Sequence, residues 1–257
     1  MTHIGVLMIH GTRGSSREFD HLESVLKSAG YLTKTVDLPA HGDSPSKTLD
    51  QISTQEIISH CLDEYAAFSQ ECDAVVVLGH SLGGICALIT GAFQKDKLAG
   101  IIALSTPYEY AYYVNYLHGL LAIPIPRLFK ATRFLPEGIT GHKAPHFRPW
   151  WFPRLCQETQ LILGQLQETL PNIQVPVCLA HSSHDLIIPY AEMQKIANRI
   201  NKPHLVQTVT LEACGHQIFP KSRERERVST MILAFLETVR YPDPENRFQP
   251  LANSVTS

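Results

Sequence analysis

A serine, an aspartate and a histidine stand in the 257-residue chain in the order Ser81, Asp185, His216, each just beyond a short apolar run. A serine hydroxyl is a weak nucleophile until a neighbouring base takes its proton. An imidazole can be that base, and a carboxylate fixes its tautomer and stabilises the imidazolium that forms. Ser81 lies in Gly79-His80-Ser81-Leu82-Gly83, a G-x-S-x-G spacing. Small residues two places before and after the serine let the chain turn sharply from strand to helix and leave the hydroxyl exposed at the turn. A helix starting there points free N–H groups and its positive dipole end at a developing oxyanion. His216, in Cys214-Gly215-His216-Gln217, has a glycine before it that permits close approach, and Asp185 follows His181-Ser182-Ser183-His184. The pattern predicts nucleophilic catalysis, with Ser81 as nucleophile, His216 as base and Asp185 as the orienting carboxylate.

The elements that must position these residues follow from apolar periodicity. Strands are expected at Ile4–Ile9, Tyr31–Asp37, Ala74–Leu78, Leu98–Leu104, Val175–Ala180 and Leu205–Leu211. Helices are expected at Ser16–Ala29, Thr54–Ser69, Leu82–Gln94, Arg154–Leu170, Tyr190–Ile200 and Arg223–Val239. Alternation of the two predicts an α/β fold, a mostly parallel sheet of about six strands with helices on both faces. Ligands of such sheets bind beyond the carboxyl ends of the strands. Thr12, Ser81, Thr106, Asp185 and His216 each follow a strand, so all five are expected along one edge.

The alternation breaks after the fourth strand. Residues 107–153 hold seven prolines and about half of the aromatic residues of the chain. The expected organisation is a core of residues 1–106 and 171–240, a cap inserted at 107–170, and a C-terminal tail at 241–257 that is polar, proline-bearing and loosely held. Within the cap, Tyr108, Tyr112, Trp150 and Trp151 are the expected substrate-contacting side chains, because ligand pockets are largely apolar with few polar groups.

Five motifs together carry a family resemblance: HGTRG at 10–14, DLPAHGDS at 37–44, GHSLGG at 79–84, HDLIIP at 184–189 and CGHQ at 214–217. The chain resembles the α/β-hydrolase superfamily of serine hydrolases, in particular bacterial carboxylesterases and monoacylglycerol lipases. The resemblance covers roughly 4–106 and 175–239. It implies a Ser81-Asp185-His216 triad, an oxyanion hole built from the backbone N–H groups of Thr12 and Leu82, and no cofactor. Two departures stand out. The chain begins at the first parallel strand, without the N-terminal antiparallel strands of larger members. The oxyanion loop reads Thr12-Arg13 where relatives often place an apolar residue first.

Composition sets the remaining bounds. A hydrophobic content of 44% and a net charge of −2 fit an ordinary globular core and give no reason to expect a nucleic-acid partner. Cysteines at 61, 72, 86, 156, 178 and 214 form no C-x-x-C and read as reduced thiols. The N-terminal apolar run is too short for a signal or a membrane span, so the expectation is a cytoplasmic protein with no stable membrane insertion. His80 reads as a packing residue of the elbow, Cys214 as a packing thiol and Lys221–Arg227 as a solvated helix face. The pairs His181/His184 and His142/His146 lack a third ligand, so no metal is expected. The activity expected is cleavage of a short to medium acyl ester or monoacylglycerol-like ester. Acyl thioester hydrolysis or acyl transfer by the same triad is the alternative, and a non-catalytic binding protein is disfavoured by the intact triad. Dehalogenase or epoxide-hydrolase chemistry would need an aspartate at position 81.

Overall fold

A computed structural model describes residues 3–42, 51–109, 152–219 and 222–241. Six parallel strands form one sheet: β1 (Ile4–Ile9), β2 (Leu32–Val36), β3 (Ala74–His80), β4 (Leu98–Leu104), β5 (Val177–Ser182) and β6 (Val206–Leu211). Their spatial order is β2-β1-β3-β4-β5-β6. Among the described residues the α-helices are α1 (Asp20–Ser28), α2 (Thr54–Ser69), α3 (Leu82–Phe93), α4 (Phe152–Thr169), α5 (Ala191–Arg199) and α6 (Ser222–Arg240).

The period-two geometry of a strand sends alternate side chains to opposite faces. On β1, Leu7 and Ile9 join one core while Val6 and Met8 join the other. β3 divides likewise, with Val75 and Val77 on one side and Val76 and Leu78 on the other. Residues of α2, α3, α4 and α5 cover the first face, and residues of α1 and α6 the second. Both faces being covered explains why the central strands read as unbroken apolar runs.

Several expected boundaries shift, and three of the shifts have a clear local reason. β3 continues past Leu78, because Gly79 and His80 pair with Ala103 and Leu104 of β4. β5 begins at Val177 rather than Val175, since Pro176 has no N–H for the ladder and contributes only its carbonyl, which accepts from Ile101 N at 2.9 Å. The stretch expected as one helix from Ser16 is a 3-10 turn, Ser16–Phe19, followed by α1. There Ser16 is tied by its N–H to Asp37 Oδ1 at 2.6 Å, and Glu18 turns inward to accept from Gly11 N. α1 then closes on Gly30 at φ 84°, with Gly30 N donating to Lys27 O and Tyr31 N to Leu26 O.

The run Lys221–Arg227 is not wholly a solvated face. Glu224 is buried and accepts from Ala213 N at 3.1 Å, because the loop leaving β6 needs an acceptor for that N–H. Five cysteines, at 61, 72, 86, 178 and 214, are buried free thiols.

Of the expected cap, residues 110–151 lie outside the described residues, as does the tail beyond Tyr241. Its two attachments are described. At the entry, buried Glu192 accepts from Tyr108 N at 2.9 Å and Glu109 N at 2.7 Å, while Lys195 bridges Glu192 and Glu109. At the exit, Glu158 on α4 accepts from Thr54 N at 2.7 Å at the start of α2.

Candidate active site

The turn between β3 and α3 is forced by crowding. A Cβ on Gly79 would strike the Gly83 carbonyl, and one on Gly83 would strike the backbone of Ile9 and His10. The chain therefore doubles back tightly, and Ser81 takes φ 54°, ψ −116°, a conformation rare for a residue with a side chain. Such strain persists only where surrounding structure imposes it, and it clusters at functional sites. Here Ser81 N donates to Leu104 O at 2.8 Å, and Ser81 O accepts from Gly84 N and Ile85 N.

Three loops at the carboxyl edge of the sheet converge on this turn. Ser81 Oγ lies 3.0 Å from His216 Nε2, and His216 Nδ1 lies 2.8 Å from Asp185 Oδ2. Asp185 Oδ1 accepts from the N–H groups of Ile187 and Ile188 at 2.8 and 2.9 Å. His181 Nε2 sits 3.3 Å from Asp185 Oδ2 and 3.0 Å from Ile188 O. Burial pushes the Asp185 carboxyl up, but the hydrogen bonds from His181 and His216 outweigh it and hold the group well below the usual carboxylate range. An ionised acceptor there leaves His216 Nδ1 as the protonated nitrogen and Nε2 with a lone pair facing the serine. Burial, joined by the charge of His80, lowers the His216 pKa despite the opposing pull of Asp185.

The family resemblance implies an oxyanion position at the backbone N–H groups of Thr12 and Leu82. Leu82 opens α3, and Thr12 lies in a turn closed by Gly14 N donating to Gly11 O at 3.0 Å, with Arg13 at φ 62°. Gly11 sits against Ser81, where a Cβ would come within 3.2 Å of the serine Cβ. His10 holds this turn. Its Nε2 accepts from Leu38 N at 3.0 Å, so its Nδ1–H donates to Gly11 O at 2.8 Å, and burial keeps the ring neutral by lowering its pKa. Tyr108 is half-buried against the core on the α2–α3 side. Tyr112, Trp150 and Trp151 lie outside the described residues. Among the described residues no three His, Cys, Asp or Glu side chains are grouped to hold a metal, and no helix is long and apolar enough to cross a membrane.

Several residues of the site carry no motif signature. Ser182 Oγ donates to Cys214 O and accepts from His184 N, tying the Asp185 loop to the His216 loop. Glu18 forms an ion pair with His80 beneath the elbow. Helical spacing does put Glu18 on the side of Leu22 and Leu26, the one signal in the sequence that it faces inward.

A family model described as the alpha/beta hydrolase family matches residues 6–229. The chain belongs to the alpha/beta hydrolase family. Among curated relatives, a pimeloyl-[acyl-carrier protein] methyl ester esterase of Neisseria meningitidis is 26% identical over 235 residues, covering 83% of this chain and 86% of the relative. A monoacylglycerol lipase of Mycolicibacterium smegmatis is 24% identical, covering 86% of this chain and 83% of its own. The fold matches a solved metagenome-derived lipolytic enzyme with a TM-score of 0.71 at 21% identity, covering 92% of this chain and 94% of that one. A monoacylglycerol lipase of Paleococcus ferrophilus matches at the same TM-score and 20% identity, covering 91% and 94%. This alpha/beta hydrolase is thus a hydrolase of the esterase and lipase type.

Proposed function

We propose that the protein is a serine hydrolase that cleaves a carboxylic ester through an acyl-enzyme on Ser81. The observation that carries this reading is the unbroken line from Ser81 Oγ through His216 to Asp185, at 3.0 and 2.8 Å, with the serine on a strained turn at the head of a helix.

Chemistry follows from that arrangement. Ser81 Oγ attacks the ester carbonyl carbon while its proton passes to His216 Nε2. The carbonyl oxygen becomes an oxyanion held by the N–H groups of Thr12 and Leu82. Collapse breaks the carbon–oxygen bond to the alcohol, which leaves with the proton from Nε2. A water molecule then gives its proton to His216, attacks the acyl carbon and releases the acid, restoring Ser81. Asp185 stays ionised throughout. The substrates named for its relatives, a carrier-linked methyl ester and monoacylglycerols, are both carboxylic esters and accord with this class. The cap at 107–170, with Tyr108, Tyr112, Trp150 and Trp151, is assigned to the acyl side of the substrate.

The test is labelling with a fluorophosphonate, followed by a matched panel of p-nitrophenyl esters and acyl thioesters. The expected result is modification at Ser81, hydrolysis of the esters, and a loss of more than about 10³-fold in Ser81→Ala, because the three residues act as a unit. Labelling elsewhere overturns the nucleophile, and thioester preference moves the substrate class to the alternative.

A further inference from the structure

Behind the site lies a second carboxylate–imidazole pair. His80 is fully enclosed between the elbow and the loop of His216, with its ring centroid 5.0 Å from that of His216. Its Nε2 is 2.9 Å from the His216 carbonyl oxygen, which can only accept, so Nε2 carries a proton. Its Nδ1 faces Glu18 Oε1 in a close ion pair, while the other Glu18 oxygen accepts from Gly11 N at 3.2 Å. Glu18 therefore touches the oxyanion turn and, through His80, the backbone of the residue assigned as base.

We propose that Glu18 and His80 are positioning residues for the hydrolytic reaction, holding the His216 loop and the Gly11-Thr12 turn in register and setting a positive charge against the ring of the base. The inference rests on the assignment of His216 as that base. Burial opposes a charge on His80, yet the Glu18 carboxylate overrides it and the His80 pKa is raised; the same partner lowers that of Glu18 against its own burial. The titratable groups facing His80 are Glu18 from the 3-10 turn, His10 from the end of β1, Asp185 from the loop after β5 and His216 from the loop after β6. His10 is held neutral, so Glu18 and Asp185 are the anions that keep the proton on His80. Around His216 the charges are Asp185, which attracts its proton, and His80, which repels it, with His181 adding to the repulsion. A pair serving only to fill the interior would contribute little net stability and would not govern the base, since a buried ion pair roughly offsets its own desolvation.

Two measurements test this. In the wild-type protein, long-range ¹H–¹⁵N spectra of the histidine rings between pH 6 and 8.5 should show His80 with both nitrogens protonated near pH 7.5. A neutral His80 there overturns the proposal, whether or not any variant folds. In Glu18→Gln the acid limb of kcat/KM should move up by roughly half a unit to one unit, as the repelling charge is lost. That is a fall approaching about three- to tenfold at pH values well below the limb, with little change at pH 8.5. Glu18→Asp, which keeps the charge, should restore part of the limb. A limb that stays in place while only thermal stability drops shows a packing role and defeats the proposal. Fluorophosphonate labelling of wild-type Ser81 is run beside these. Absent labelling defeats the serine-hydrolase reading, whereas the His80 spectra judge the pair itself.

Discussion

His181 and His216 share one carboxylate oxygen of Asp185: Oδ2 lies 3.3 Å from His181 Nε2 and 2.8 Å from His216 Nδ1. One oxygen thus receives two imidazoles, while the other is committed to backbone N–H groups of Ile187 and Ile188. The carboxylate has no rotational freedom left. Replacing His181 by phenylalanine keeps the ring against Tyr190 and removes one hydrogen bond to the ionised carboxylate. The expected outcome is a fall of roughly tenfold in kcat with KM little changed, read from initial rates. Asp185→Asn, which favours the wrong His216 tautomer, should cost about 10³- to 10⁴-fold.

The pH profile carries a definite sign. The His216 pKa is lowered from 6.5 by burial and by the charge on His80, so the acid limb of kcat/KM should fall below pH 6.5. An acid limb above pH 7 in the wild type would contradict it. For stability, His216 binds its proton more weakly in the folded state than in the unfolded chain and contributes a loss as pH drops through the ordinary histidine range, while His80, with its raised pKa, contributes the opposite sign. The depressed Asp185 pKa adds stability that is complete above the ordinary carboxylate range and is lost as pH falls through the folded value. Urea unfolding between pH 4 and 8 reads the histidine contribution, and its extension below pH 4 reads that of Asp185.

Gly83→Ala is expected to damage fold and activity together. The added methyl would meet the carbonyl oxygens of Ile9 and His10, both backbone, with no flexible neighbour to yield. Overpacking of this kind costs about 1–3 kcal/mol or more. A thermal midpoint within a degree of wild type would show that α3 shifts freely, against the crowded turn described above.

Acyl length should register in kcat/KM if the cap supplies the pocket. Each buried methylene contributes about 0.8 kcal/mol, or roughly fourfold, until the pocket fills. A series of esters from two to sixteen carbons on the intact protein, and on one with 107–153 replaced by a Gly/Ser linker, measures this. The linker variant should flatten the profile and still label at Ser81. A folded linker variant with the wild-type profile would place the pocket in the core loops.

Much of the fold was legible because each strand is a short apolar run with both faces buried, and such runs stand out against their polar surroundings. Ser81, Asp185 and His216 were legible for a different reason: each sits in a short motif just beyond a strand. What escaped was set by contacts distant in sequence. Glu18 looks like one more charge in a polar turn, and only the arrival of His80 on β3 makes it a part-buried anion. Ser182 reads as the end of a strand until Cys214 O comes beside it. Glu224 belongs to an alternating charge run, and it is the N–H of Ala213 that draws it inward. The tight first turn at Ser16 likewise depends on Asp37, across the next strand.

The span of 135 residues between Ser81 and His216 has a consequence for how the protein comes into being. At ribosomal rates of about 5–20 residues per second, the serine emerges on the order of ten seconds before its base. Its strand is central, and its neighbours β1 and β4 are both made before residue 105. The nascent chain can therefore build the elbow early and still be chemically silent. The contact of Ser81 with His216 forms only when β6, at the sheet's far edge, docks and brings that loop with it. On the proposed triad, synthesis order leaves Ser81 without its base until the sheet is complete.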